Sequence, residues 1–187
     1  MASSADNTPP RSGAHLPTTA TEWAAQLALK PHPEGGYFRE VYRAAEGVPP
    51  EVLPERYGGP RDFGTSIYFL MSPGHFSAFH RLQTDELWYF HAGVPCRFHV
   101  LQAAGTLWQP RLGLNVAAGE APCLLLPGRQ WFAVECLAEE GSVPDYTLVS
   151  CALAPGFEYD DFELAEADAL AAAFPAHKAL IHRFCRA

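Results

Sequence analysis

The 187-residue chain lacks any apolar run near the roughly 18 residues needed to span a bilayer. Its first twenty residues, rich in Ser, Thr, Pro and Ala, contain no apolar signal core. Cysteine is scarce and badly spaced for a framework. Cys96, Cys123, Cys136, Cys151 and Cys185 make an odd set with no C-x-x-C pair, which argues against both a disulfide scaffold and a zinc ribbon. Positive charge is short: 13 Lys and Arg stand against 21 Asp and Glu, a net charge of −8, so a nucleic-acid polymer is not an expected partner. There is no Gly-x-Ser-x-Gly elbow, no glycine-rich phosphate loop and no repeat. These absences leave a reduced, cytoplasmic chain with no membrane partner as the expectation.

What is present is apolar and finely punctuated. Hydrophobic residues make up 48% of the chain and aromatics 12%, enough for a globular core. Fifteen Gly and 17 Pro favour many short elements over long helices. Residues 1–20 are expected to be a disordered tail, and 21–187 one domain. Thr21 to Leu29 has helical spacing, with Thr21 placed to cap it. Gly35 to Arg43 alternates as a strand, and the proline-rich stretch 44–62 reads as a long loop. Eight further apolar runs follow: 65–71, 76–82, 86–91, 96–101, 108–112, 121–126, 130–136 and 147–153. Turn residues separate them, which predicts an all-β sandwich or barrel. Helices are expected over 164–174 and 177–184, and Cys123 and Cys151 read as buried thiols.

The most informative stretch is GHFSAFHRLQTDELWYFHAG, Gly74 to Gly93. On a strand His80 and Leu82 share one face; on the next, Glu86, Trp88 and Phe90 do. A hairpin turn at 83–85 would let His80 and Glu86 meet inside the barrel as a general acid/base pair or as part of a metal site. His80 also reads as a core histidine bonded to a neighbour. Trp88, Trp131 and Phe132 read either as barrel filling or as a stacking surface for a ligand. Arginine near a pocket suits a phosphate or carboxylate, and Ser77 and Ser150 are further hydrogen-bonding candidates.

The spacing of Gly74, His80, Glu86 and Gly93 resembles the first cupin motif, with Leu82 where a second histidine normally stands. In the second motif Pro127 is kept, but Arg129 takes the glycine place and Phe132 the histidine place. With PHPEGGYFRE, TSIYFLM, FHRLQTDELWYFHAG and LVSCALAPGFEYDDFEL, the chain resembles the cupin-5 (DUF985) family from about Leu29 to Leu164. The resemblance implies a double-stranded β-helix (cupin jelly roll) with short N-terminal and C-terminal helices, often a homodimer and similar to sugar-nucleotide epimerases. It also brings Tyr37, Arg39 and Glu40 towards the pocket or interface. Two of the four usual metal ligands being absent, no metal or other cofactor is expected. The expected catalytic residues are His80 and Glu86; the expected ligand-binding residues are Tyr37, Arg39, Glu40, Ser77, Trp88, Trp131 and Phe132. The expected function is metal-independent isomerisation or epimerisation of a sugar-like or nucleotide-linked small molecule. The alternatives are a non-catalytic module binding a nucleotide or small acid, and a metal-dependent oxygenase.

Overall fold

A computed structural model describes residues 16–186. The chain runs through α1 (Ala20–Gln26), β1 (Lys30–Pro31), β2 (Tyr37–Arg43), β3 (Gly47–Val48), β4 (Arg61–Asp62), β5 (Thr65–Met71), β6 (Phe76–Leu82) and β7 (Glu86–Gly93). It continues through β8 (Cys96–Leu101), β9 (Leu107–Trp108), β10 (Arg111–Leu112), β11 (Glu120–Ala121), β12 (Cys123–Leu126), β13 (Trp131–Cys136), β14 (Thr147–Leu153), β15 (Phe162–Leu164), α2 (Ala167–Ala173) and α3 (Lys178–Phe184). Pro110 and Pro122 have no N–H for a ladder, and each splits one expected strand into two short ones.

Two sheets face each other as a jelly roll, in the orders β1-β2-β5-β14-β7-β12 and β11-β10-β8-β13-β6-β15. Alternation explains three apolar layers. Phe69, Trp88, Phe98, Phe132, Val134 and Val149 point inward and fill the space between the sheets. Trp88 meets Phe98 edge-on at 5.0 Å, a contact worth about 1 kcal/mol beyond its area. Phe79, Leu101 and Ala133 point outward under Leu170, Ile181 and Phe184 of the C-terminal helices. Leu70, Tyr146 and Leu148 on the other sheet are covered by Trp23, Ala24 and Leu27 of α1.

Several local expectations are corrected. The turn at 83–85 is not a hairpin within one sheet: β6 pairs with β13 and β15, and β7 with β14 and β12, so the chain crosses from one sheet to the other. Thr19, not Thr21, caps α1, because Glu22 completes a capping box with it. Of the expected tail, residues 1–15 lie outside the described residues, while Thr19 and Ala20 are fixed by this cap and by the bond from the Ala20 N–H to Asp145. Leu164 ends the strand β15 rather than starting a helix, since 162–164 pair with β6 at the sheet edge, and α2 begins at Ala167. The loop 44–62 contains its own two-stranded ladder, β3 with β4. Cys123 is exposed because it faces outward on β12, whereas Cys151 is buried.

One ion pair ties that long loop to the segment before β15. The Arg61 guanidinium donates twice to Asp161, at 2.7 Å each, and both side chains are about 95% buried (4% and 5% exposed). Removing one partner leaves a buried charge uncompensated. Asp161→Ala should therefore cost about 3 kcal/mol in urea unfolding; a loss below about 1 kcal/mol would show the pair to be dispensable.

Candidate functional site

The site begins with one extra residue in β6. Val134 of β13 sits opposite Ser77 and Phe132 opposite His80, so three steps on β6 match two on β13. This bulge turns Ser77 and His80 to the same side and frees the backbone between them. The freed Ala78 N–H donates to Glu34 O at 2.9 Å. The Ala78 carbonyl accepts from His80 Nδ1 at 2.8 Å. A carbonyl only accepts, so the proton lies on Nδ1, and the Nε2 lone pair points at Glu34 Oε2, 3.3 Å away. Burial holds His80 below its ordinary value, so the ring is neutral.

Glu34 reaches this place on a tight turn. Gly35 has φ +118°, and a Cβ there would lie 2.0 Å from Phe76 O; at Gly36, φ +66°, it would lie 2.6 Å from Leu70 O. Only glycine allows the backbone so close to both strands. Ser77 donates to Glu34 Oε1 at 2.9 Å, and His32 Nδ1 lies 3.6 Å from Oε2. His32 is held down to about 4, first by burial and then by the neighbouring His80, so it too is neutral. Burial pushes Glu34 up to about 8, against the opposing effects of Ser77 and Arg186. A carboxyl between two neutral imidazole nitrogens keeps its proton and donates it.

Glu86 enters the same interior from β7, in the opposite sheet. Burial pushes it up to about 7, with His80 opposing the rise and Glu34 adding to it. One of its oxygens, Oε2, makes no hydrogen bond of good geometry among the described residues, although the Trp88 indole and the Cys151 thiol lie close enough to act on the carboxyl. Glu34, His32, His80 and Glu86, with Cys151, line the inner part of a cavity of about 100 Å³. Its outer walls include Phe38, Glu40, Arg43, Phe157, Glu158, Tyr159 and Phe162.

The structure brings some expected residues together and separates others. His80, Glu86 and Glu40 line the cavity. Ser77 stands behind Glu34, and the Phe132 ring packs on His80 at 4.2 Å. Trp88 is wholly core, with its indole N–H unpartnered among the described residues. Trp131 faces away, because neighbours on a strand alternate; it packs against the C-terminal helices under Arg81. Tyr37 packs with α1, and Arg39 lies over Tyr68 on the outer sheet face. Ser150 bonds His91 on that face too. A second bulge, at Val41, brings Arg43 to the cavity side with Phe38 and Glu40. There Arg43 is held by Glu40, Asp62 and Glu158. Sequence reasoning passed over Glu34 and His32; their signal was the His-Pro-Glu-Gly-Gly run, which entered only as part of the family resemblance.

A cupin metal needs four donors around the places of His80, Leu82, Glu86 and Phe132. Leu82 and Phe132 have no donor atom, and the lone pair of His80 is met by Glu34. Among the described residues no group of three His, Cys, Asp or Glu has the geometry to hold a metal ion. The residues present therefore do not fit that ion. No described helix is long and apolar enough to cross a membrane.

The two facing sheets form the jelly roll of the cupin class. The family model of the cupin superfamily (DUF985) matches residues 21–165, and the chain belongs to that family. A crystallised protein of Shewanella oneidensis is 38% identical, with a TM-score of 0.77 over 89% of this chain and 97% of that one. A hypothetical protein from Leishmania major is 36% identical, with a TM-score of 0.80 over 90% of this chain and 99% of that one. No curated protein matches the chain.

The site sets a pH dependence. Glu34 and Glu86 hold protons to higher pH folded than unfolded, so their stabilisation is complete at low pH and lost as pH rises towards 8. The depressed histidines act in the opposite sense, and only below about 6.5. Between pH 6.5 and 8 the two carboxyls set the slope of this cluster. The protein should lose about 2.5 kcal/mol of unfolding free energy over that interval, and Glu34→Gln only about 1 kcal/mol. The same loss in both would contradict this assignment of protons.

Proposed function

We propose that the cavity performs metal-independent proton transfer on a small sugar-like molecule, an isomerase- or epimerase-like reaction. The observation that supports this reading is the pair of buried carboxyls tuned to about 7 and about 8 in one hollow. Such tuning suits one group to take a proton and the other to give one near neutral pH. Glu86, with an unengaged oxygen, takes the proton from a carbon beside a carbonyl. Glu34 gives its proton to the substrate, and His80, with its tautomer fixed by Ala78, accepts and returns protons from behind. Solvent exchange resets both carboxyls, so the reaction consumes nothing. The neutral floor lowers the energy of neither ground-state anion nor phosphate. Arg39 faces elsewhere and Arg43 is already engaged, so the sugar-like part, not a phosphate, is what the walls fit.

The second reading, a binding module without chemistry, is favoured by the same unengaged oxygen and the aromatic walls, which would hold a ligand equally well. Incubation with hydroxyketones and ketohexoses in deuterated water separates the two. Proton transfer predicts deuterium at the carbon beside the carbonyl, slowed about 100-fold or more in Glu86→Gln. Thermal stabilisation by a sugar without any exchange would leave the binding reading.

We infer further that the chain pairs with a second copy through the outer face of the sheet containing β2, β5, β14, β7 and β12. Tyr42, Leu87, Tyr89 and Leu125 are exposed there. Light scattering should give about twice the 20.5 kDa chain mass, and a monomer in the Tyr89→Glu and Leu125→Glu double variant. A monomeric unmodified protein would refute the pairing.

A further inference from the structure

The mouth of the cavity holds more negative charge than its own arginine balances. Arg43, about one-third exposed, is bonded to Glu40 at 2.9 Å, Asp62 at 2.7 Å and Glu158 at 2.9 Å. Three carboxylates on one guanidinium leave a surplus of two negative charges at the entrance. Arg61 acts on Glu158 but is paired with Asp161, and the Lys30 ammonium lies over the Phe38 ring at 5.1 Å; neither is part of the cavity lining. Both imidazoles deeper in are neutral, and Arg186, which acts on Glu34 and His32 from beside the Gly35 turn, is not part of the cavity lining.

Beside this entrance three aromatic rings form a corner. Phe157 and Tyr159 meet at 5.0 Å, Phe157 and Phe162 at 6.2 Å, and Tyr159 and Phe162 at 6.4 Å. Their π faces attract a cation, and a carboxylate next to them adds to that attraction. Further in, Glu86 is 94% buried (6% exposed), lines the cavity and leaves one oxygen without a hydrogen bond of good geometry. A buried carboxyl oxygen so placed is costly unless a ligand supplies a donor.

We propose that the cavity selects small molecules carrying an ammonium group. The ammonium rests at the mouth, against Tyr159, Phe157 and Phe162 and beside Glu40 and Glu158. A hydroxyl at the far end of the ligand donates to Glu86. This deepens the reading of the cavity as a site for a sugar-like molecule: it makes amino sugars and short amino alcohols its class and turns away acids and phosphates. Glu86 faces His80 and Glu34, while the mouth carboxylates face Arg43, so the two ends of the ligand meet different groups.

Calorimetric titration of the full-length protein with matched pairs tests this. The probes are glucosamine against glucose, and serinol against glycerol. The ammonium member should bind at least 10-fold tighter in each pair, and the preference should shrink as salt is raised. Glu158→Gln should cut that preference several-fold. Tyr159→Ala, at a ring that is 56% exposed, should weaken amine binding 3-fold or more and weaken the neutral sugar less. Equal binding of the two members overturns the proposal, as does no binding of either at millimolar concentration, or a preference that survives both substitutions. Deuterium exchange on amine-free ketoses is a separate readout. Exchange without amine preference removes only the ligand class; amine preference without exchange removes only the chemistry.

Discussion

A single extra residue in β6 organises the interior of this molecule. Without the bulge, Ser77 and His80 would point to opposite sides of their sheet. With it they point together, and the displaced Ala78 supplies both a donor for the Glu34 backbone and an acceptor for the His80 ring. The Gly35–Gly36 turn provides the other half, because no larger residue would let residue 34 approach β5 and β6 so closely. Two backbone irregularities thus hold a carboxyl against an imidazole that packing alone would not bring together.

The electrostatics divide by depth. At the floor every titratable side chain is nearly buried, and charge is limited by keeping Glu34 protonated and the imidazoles neutral. At the mouth, where the side chains are partly exposed, Glu40, Asp62 and Glu158 gather around Arg43. Arg61 and Asp161 form a buried ion pair that ties down the segment carrying Glu158, Tyr159 and Phe162. A ligand moves from a charged rim to a hollow where proton positions, rather than charges, do the recognising.

Much of the fold could be read from residue alternation. Six of the eight apolar runs became strands close to their expected limits, the other two were each split at a proline, and the inward set of Glu86, Trp88 and Phe90 is as alternation demands. Motif spacing located His80 and Glu86. What could not be read came from contacts between distant parts of the chain. The Ser77–Glu34 bond spans 43 positions, and nothing near Glu34 distinguishes it from a solvated turn residue. Bulges at β2 and β6 broke the two-residue period, so Arg43 and Ser77 face sides that simple alternation denies them. Choosing both Trp131 and Phe132 set that same period aside, and the structure keeps only Phe132 beside the cavity.

The central claim is the placement of protons: a neutral His80 with its hydrogen on Nδ1, facing a protonated Glu34. Ring-nitrogen NMR shifts of His80 in selectively labelled protein at neutral pH read this directly. The account predicts a pyrrole-like Nδ1 and a hydrogen-bonded, unprotonated Nε2. Two protonated ring nitrogens, or the hydrogen on Nε2, would contradict it.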